Sequence, residues 1–252
     1  MGKRVAMLDE VRGIAYIAMI IYHAYYDLAF VYVHDLPDGV DIFMKLLQPL
    51  IAGTFIVVAG VSSNYSQNNF KRGVEYFFCA MLLTFVTAIF MPSEIILFGV
   101  LHFYAIAAMI YGFIGKFTER IPFVIGIVVF VLLYVFTMYI PRGGVGIPGF
   151  GVELPESLYR YYWLFPLGFA PTNFYSADYF PLIPYFFLFM AGASLGIWFK
   201  SGKAPRGFYT SRFNGLAFIG RHGLLIYMLH QPALFLILDP VHKLLGQNTM
   251  FL

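Results

Sequence analysis

Charge and cysteine are scarce in this chain. Only 12% of its 252 residues are charged and only one is a cysteine, Cys79, whereas 60% are hydrophobic. A soluble domain is usually about 25% charged and about 45–50% apolar, and a chain of this length could not bury so much apolar surface. One cysteine also excludes an intrachain disulfide. The composition therefore excludes a soluble globular protein, a disordered chain and a nucleic-acid binder with a basic face.

Long continuous apolar runs indicate an all-α integral membrane protein. A helix needs about 20 mostly apolar residues to cross a bilayer, whereas the strands of a membrane barrel alternate apolar and polar residues. Seven segments qualify, with ends placed to within about 2–4 residues. They are Val11–Val33, Leu46–Ser62, Val74–Met91, Ile95–Gly115, Ile121–Ile140, Leu182–Phe199 and Leu216–Leu238. We predict that they form a single transmembrane domain over residues 1–252.

The basic residues predict the orientation of the chain. Of its sixteen Lys and Arg residues, twelve fall at the ends of spans on one side of the predicted bundle. Cytoplasmic connections carry an excess of Lys and Arg, so this side is predicted to be cytoplasmic. The N-terminus is then cytoplasmic and the C-terminus extracytoplasmic.

The longest connection, residues 141–181, is predicted to lie outside. Loops of this length in compact proteins are usually functional or mobile. Its aromatic stretch, Tyr161–Phe169, is apolar but too short to span the bilayer. This stretch could be a re-entrant or interfacial piece, or an aromatic belt at the membrane surface.

Three histidines lie inside predicted spans, where ionisable groups are costly and are therefore functional candidates. His23, His102 and His230 each lie about 10–12 Å from the outer end of their span, at about 1.5 Å per helical residue. Asp27 lies one turn from His23 on the same helix face. A carboxylate there could orient the imidazole or stabilise the imidazolium, as general-base catalysis requires. Each histidine could instead be a packing residue bonded to a neighbouring helix.

A basic cluster lies at the predicted inner face. Arg12 is one turn into the first span, and Arg221 and His222 lie in the last one. Guanidinium groups match phosphate oxygens with a planar fork, so this cluster could bind a phosphorylated ligand. The arginines could also extend to lipid phosphates, and Asp9 could pair with Arg12 across one turn.

Five segments, taken in order along the chain, form a recognisable pattern. They are Leu8–Ala15 followed by Met19 and His23, then Phe55–Ser63, Gly99–His102, Ser176–Pro184 and Gly220–Pro232. In this order they resemble the heparan-α-glucosaminide N-acetyltransferase-like family of transmembrane acyltransferases, and in particular its small bacterial members. Compared with the eukaryotic enzyme of that family, we expect this chain to lack the extra helices and the large luminal portion.

The resemblance implies an enzyme that moves an acyl group, such as acetyl, from cytoplasmic acyl-CoA to a sugar-like acceptor. The acceptor would offer an amine or a hydroxyl on the extracytoplasmic side. The expected location is a bacterial inner membrane, the expected partners are lipids, acyl donor and acceptor, and a homo-oligomer is possible. No metal is expected.

The candidate residues fall into three groups on this interpretation. The predicted catalytic residues are His23 as general base with Asp27, together with His102 and His230. The predicted donor-binding residues are Arg12, Arg221 and His222. The predicted substrate-binding residues are Asp178 and Gln231.

Other functions remain open from the sequence. A carrier for a small solute or lipid could use His23 and Asp27 as a proton relay, although no pair of spans resembles an inverted repeat. Histidines at equal depth would also permit a haem held by two of them. A purely structural membrane protein would leave the buried His and Asp residues unexplained.

Overall fold

The computed structural model describes residues 5–32, 37–147 and 149–244. Within this part of the chain the structure is mostly helical. The α-helices are α1 (Ala6–Tyr26), α2 (Asp38–Ser63), α3 (Asn69–Phe90), α4 (Val100–Thr118), α5 (Phe123–Thr137), α6 (Leu182–Lys200), α7 (Asn214–Arg221) and α8 (Gly223–Leu244). A two-stranded hairpin comprises β1 (Gly144–Ile147) and β2 (Phe150–Glu153).

The seven predicted spans are confirmed by length and composition. Seven helical segments in the described residues are long and apolar enough to cross a membrane. The first runs over Ala6–Val31, because α1 continues into a π-helical turn at Asp27–Val31; its predicted end, Val33, lies outside the described residues. The second begins at Asp38. The carboxylates of Asp38 and Asp41 lie in its first turn, where negative charge interacts favourably with the positive end of the helix dipole.

The predicted segment Leu216–Leu238 is wrong at both ends, because the last spanning helix is α8, Gly223–Leu244, and the short helix α7 precedes it. The chain breaks between the two helices at His222, which has φ −96° and ψ 20°. Glycines flank the break and allow close approaches: Gly220 abuts the carbonyl of Asp9, and Gly223 abuts the Tyr16 ring. Glycine is also a poor helix former. The break therefore lies where two glycines let the backbone pack directly against α1.

The residues form two compact units, and each is described by itself. The central unit holds Ile56–Ala204, where α3 packs against α4 and α5 against α6. Small residues bring backbones together here: Gly60 abuts the carbonyl of Phe189, and Gly192 abuts the carbonyl of Val57. Such contacts are typical of helix packing in membranes.

The terminal unit holds the described residues within 3–55 and 205–252. In it α7 packs against α1, with Gly13 against the carbonyl of Leu216. Helix α8 lies beside α1 through three contacts that advance along both helices in the same direction. They are Tyr16 with Gly223, His23 with His230, and Asp27 with Gln231. The first and last spans therefore run parallel in this stretch.

The connection over residues 141–181 contains two β-strands, which the all-α prediction did not include. It begins with the antiparallel hairpin of β1 and β2. The aromatic stretch forms a short 3-10 helix at Tyr162–Leu167, which ends at Gly168 with φ +113°. A helix of this length does not cross a bilayer.

Candidate active site

Two of the three predicted buried histidines meet in the terminal unit. The ring centroids of His23 on α1 and His230 on α8 are 4.7 Å apart, and the ring planes are inclined by 73°. The residues come from opposite ends of the chain, and the parallel packing of α1 and α8 brings them together. The arrangement places two titratable rings in contact.

The backbone fixes the same tautomer in both rings. Nδ1 of His23 lies 2.9 Å from the carbonyl oxygen of Met19, and Nδ1 of His230 lies 2.6 Å from that of Tyr227. A carbonyl can only accept a hydrogen bond, so each Nδ1 carries the proton. In a neutral imidazole the other nitrogen, Nε2, then has a lone pair. Both rings therefore offer Nε2 as a proton acceptor.

Two acceptor atoms at this site are buried without a hydrogen-bond partner among the described residues. They are Nε2 of His230 and Oε1 of Gln231. A buried polar atom left unsatisfied costs about 1–3 kcal/mol, and in native proteins such atoms call for an explanation such as a catalytic role. Because both atoms are acceptors, a ligand that satisfied them would carry N–H or O–H groups.

Asp27 connects the two helices beside the histidines. Its side chain is fully buried, and its Oδ1 accepts a hydrogen bond of 2.7 Å from Nε2 of Gln231. The group bonded to Nδ1 of His23 is the carbonyl of Met19, and the expectation that Asp27 orients the His23 ring or stabilises its imidazolium stays a prediction. Asp27 begins the π-helical turn, a feature frequent at functional sites.

The predicted donor-binding residues lie where α1 meets α7. Nη1 of Arg12 donates to Oδ1 of Asp9 at 2.9 Å, so the expected pair across one turn is present. The exposed Arg221 donates from Nε to the carbonyl of Ala217 at 3.1 Å. The close approach of Gly220 to Arg12 brings the two arginines to the same end of the terminal unit.

His222 completes this basic cluster as an exposed residue. Its Nδ1 lies 2.9 Å from the carbonyl of Phe218, which gives it the same tautomer as His23 and His230. It is also the residue that separates α7 from α8. The cluster therefore combines two guanidinium groups and an accessible imidazole near one helix junction.

The sequence analysis missed the role of Glu10. This buried carboxylate accepts three hydrogen bonds at Oε1: from the Ser211 hydroxyl at 2.8 Å and from the backbone N–H groups of Arg212 and Phe213 at 2.5 and 2.9 Å. It thus fixes the chain that leads into α7. The available signal was an acidic residue next to Asp9 at a basic end of the protein.

His102 belongs to the central unit, where both of its ring nitrogens are used. Nδ1 accepts from the N–H of Gly99 at 3.2 Å, and Nε2 lies 3.2 Å from the Thr84 hydroxyl. That hydroxyl donates to the carbonyl of Ile96 at 2.6 Å, so Nε2 carries the ring proton and donates to Thr84. This is the opposite tautomer from the pair, and a catalytic role for His102 stays a prediction.

Asp178, also in the central unit, accepts a hydrogen bond from the first turn of α4. Its Oδ2 accepts from the N–H of Val100 at 2.8 Å, which is how an acidic side chain caps a helix N-terminus. A parallel bridge between Phe98 and Tyr179 holds the two chain segments together. Substrate binding by Asp178 stays a prediction.

The side chains that meet at this site are acid–base and hydrogen-bonding groups. Among the described residues no group of three or more His, Cys, Asp or Glu side chains is placed to hold a metal ion. The terminal unit instead combines two proton acceptors, a buried carboxylate and an amide. Such a set can bind hydrogen-bond donors and accept a proton from one of them.

The match to a known family spans most of the chain. Residues 4–232 match the family described as heparan-alpha-glucosaminide N-acetyltransferase, catalytic. No curated protein and no solved structure matches the chain. The matched range includes all the candidate residues, from Arg12 to Gln231, and confirms the resemblance seen in the sequence. The chain therefore belongs to the heparan-α-glucosaminide N-acetyltransferase catalytic family.

Proposed function

We propose that this membrane acetyltransferase-family protein transfers an acyl group, most simply acetyl, from cytoplasmic acyl-CoA to an amine or hydroxyl of a sugar-like acceptor. The acceptor is taken from the extracytoplasmic side, and His23 is the general base. The observation that carries the proposal is the pair of imidazoles with both Nδ1 atoms held by backbone carbonyls. This leaves two basic nitrogens beside the buried Asp27–Gln231 bond.

The chemistry requires a proton acceptor at the attacking atom. As the acceptor nitrogen or oxygen bonds to the thioester carbon, Nε2 of His23 takes its proton. The carbon–sulfur bond then breaks, and the proton passes from His23 to the departing thiolate. The negative charge of Asp27, one turn away, favours the imidazolium that exists between these two transfers.

The buried acceptor atoms indicate how the acceptor substrate binds. Nε2 of His230 and Oε1 of Gln231 would take hydrogen bonds from further N–H or O–H groups of the same molecule. An amino sugar or a polyhydroxyl compound offers several such donors on adjacent atoms. A substrate with a single donor would leave a buried acceptor unsatisfied, at a cost of about 1–3 kcal/mol.

The basic cluster is complementary in charge to the phosphate groups of the acyl donor. Arg12, Arg221 and His222 would hold the phosphate groups of acyl-CoA. Arg12 precedes His23 by eleven residues, or about 17 Å along α1 at about 1.5 Å per residue. The extended arm of CoA between phosphate and thiol can cover such a distance. The charge bias of the connections supports donor entry from the cytoplasm.

The test is transfer by the purified protein in liposomes, with radiolabelled acetyl-CoA and an amino sugar as acceptor. Replacing His23 with Ala should lower kcat by roughly 10²–10⁴-fold, the range for loss of a general base. His242→Gln is the matched control, since His242 lies in the same unit and contacts Tyr32 rather than the pair. Its rate should stay near that of the parent.

Two outcomes would contradict the proposal. Full transfer by the His23→Ala variant would exclude His23 as the base. No transfer by the parent protein, together with solute uptake into liposomes in the absence of acyl-CoA, would favour a carrier instead.

A further inference from the structure

The hairpin in the connection between α5 and α6 has one wholly apolar face. Val145 pairs with Val152, and Ile147 pairs with Phe150. Directly paired residues and alternate residues along a strand share a face of a hairpin, so these four side chains form one surface. We call it the hairpin face. Ile147, Phe150 and Val152 are 53%, 86% and 68% exposed.

The opposite side of the hairpin carries almost no side chains. Three of its four positions are glycine, namely Gly144, Gly146 and Gly151, and the fourth is Glu153. Gly146 has φ +126°, and a Cβ there would lie 2.8 Å from the Cα of Gly151. A larger residue is therefore excluded at this position, and the apolar character of the hairpin is confined to one face.

The hairpin directly follows a span whose exposed side chains are mostly apolar. The fifth span runs over Phe123–Arg142, and β1 begins two residues later. Exposed apolar side chains such as Leu132 and Phe136 cover α5 within that span. On the same connection, Tyr161 and Trp163 are also exposed, and such aromatic residues are enriched at membrane–water interfaces. The surroundings of the hairpin are therefore those of a membrane boundary.

Two further observations favour lipid as the occupant. Four side chains offer much less than the roughly 800 Å² per partner of a standard protein interface, which argues against a second copy of the chain. The exposed Arg142, with its guanidinium 5.9 Å from the Tyr139 ring centroid, lines a cavity of about 310 Å³ together with residues of the hairpin. A cation there is complementary to the phosphates of lipid headgroups.

We propose that the hairpin face inserts into the boundary between headgroups and acyl chains and anchors the connection over residues 141–181 to the membrane surface. The hairpin does not enter the hydrocarbon core, because the outer edges of a two-stranded sheet leave N–H and C=O groups that need water or headgroup partners. The inserted part is thus the side chains, with Phe150 as the most exposed of them. This proposal is independent of the chemistry of the histidine pair.

The experiment places a single tryptophan on the hairpin. The chain has two tryptophans, Trp163 and Trp198, and both are first replaced by Phe. Phe150→Trp then reports on the hairpin face, and Glu153→Trp is the matched control on the opposite face of β2. Both variants are reconstituted in phosphatidylcholine liposomes, with acyl chains brominated near the headgroup or with iodide in the buffer.

We expect the Phe150→Trp emission to be blue-shifted and quenched by the brominated lipid roughly two-fold more strongly than that of Glu153→Trp, as for an interfacial side chain. Iodide should quench the two in the reverse order. Equal quenching at both positions, by lipid and by iodide, would overturn the proposal. If Phe150→Trp does not elute as a single folded species, Val152→Trp reports on the same face.

A second measurement distinguishes lipid from a second copy of the chain. Phe150→Cys is prepared in a Cys79→Ser background, so that it has the sole thiol. Little disulfide-linked dimer is expected in liposomes under mild oxidation. Efficient cross-linking would show that another copy covers the hairpin face and would overturn the proposal.

Discussion

At the scale of single residues, the backbone partner of each histidine decides which nitrogen is available for chemistry. His23 and His230 lie opposite carbonyls of their own helices, so Nε2 is the basic atom. His102 receives an N–H from Gly99, and its Nε2 therefore carries the proton. In the sequence the three histidines look alike. Their difference could not be predicted, because the sequence does not show whether a hydrogen-bond donor or an acceptor lies opposite each ring.

The bond between Gln231 and Asp27 gives a prediction about stability. Replacing Gln231 with Leu removes the donor to a buried carboxylate oxygen, so the free energy of unfolding should fall by about 1–3 kcal/mol. Thermal unfolding in detergent measures the change. Gln48→Leu, at an exposed position of α2 in the same unit, should change it by less than about 0.5 kcal/mol.

This pair of variants separates two interpretations of Gln231. A side chain needed only for substrate binding would leave the unfolding temperature unchanged while the transfer rate fell. If Gln231→Leu and Gln48→Leu unfold at the same temperature, the bond to Asp27 does not hold α1 and α8 together.

At the scale of elements, the apolar spans could be predicted and the irregular pieces could not. Continuous apolar runs of about 20 residues have few alternatives to a membrane helix. The break at His222 lies in a run that reads as one helix, because its cause is the packing of Gly220 and Gly223 against α1. The hairpin was missed since its glycines indicate a loop, although apolar residues alternate along both strands.

Helix α7 offers a matched pair of glycines that should respond in opposite ways. A Cβ at Gly220 would run into the Asp9 backbone, whereas nothing lies within 4 Å of a Cβ at Gly215. Gly220→Ala should therefore lower the free energy of unfolding by about 1–3 kcal/mol, as overpacking does. Gly215→Ala should leave it unchanged or raise it by up to about 1 kcal/mol, because alanine is the better helix former.

Thermal unfolding of both variants in the same detergent measures this difference. Destabilisation by Gly215→Ala equal to that by Gly220→Ala would mean that the contact between α1 and α7 is not as close as described.

At the scale of the whole molecule, the family and the number of spans could be predicted, but the partners of the helices could not. Asp27 and Gln231 are 204 residues apart, and no local pattern pairs positions at that separation. Equal depth of the histidines is compatible with many arrangements of seven helices. The prediction of a single domain stays a prediction, as does the orientation of the chain.

The charge bias makes the orientation testable. In a Cys79→Ser background, Lys203→Cys lies in the connection between α6 and α7, and Glu153→Cys lies in the connection between α5 and α6. Because Lys and Arg favour the cytoplasmic side, a membrane-impermeant maleimide should label Glu153→Cys in intact bacterial cells. It should label Lys203→Cys only after permeabilisation. The reverse pattern would invert the proposed sides for donor and acceptor.

The parallel contact of α1 with α8 has a consequence for biosynthesis. A ribosome adds about 5–20 residues per second, so the 204 residues between Asp27 and Gln231 take roughly 10–40 s to make. During that interval the first span, with Asp27, has been synthesised, but Gln231, whose amide donates to Asp27, has not. The bond that joins α1 to α8 can therefore form only after translation has reached the final span.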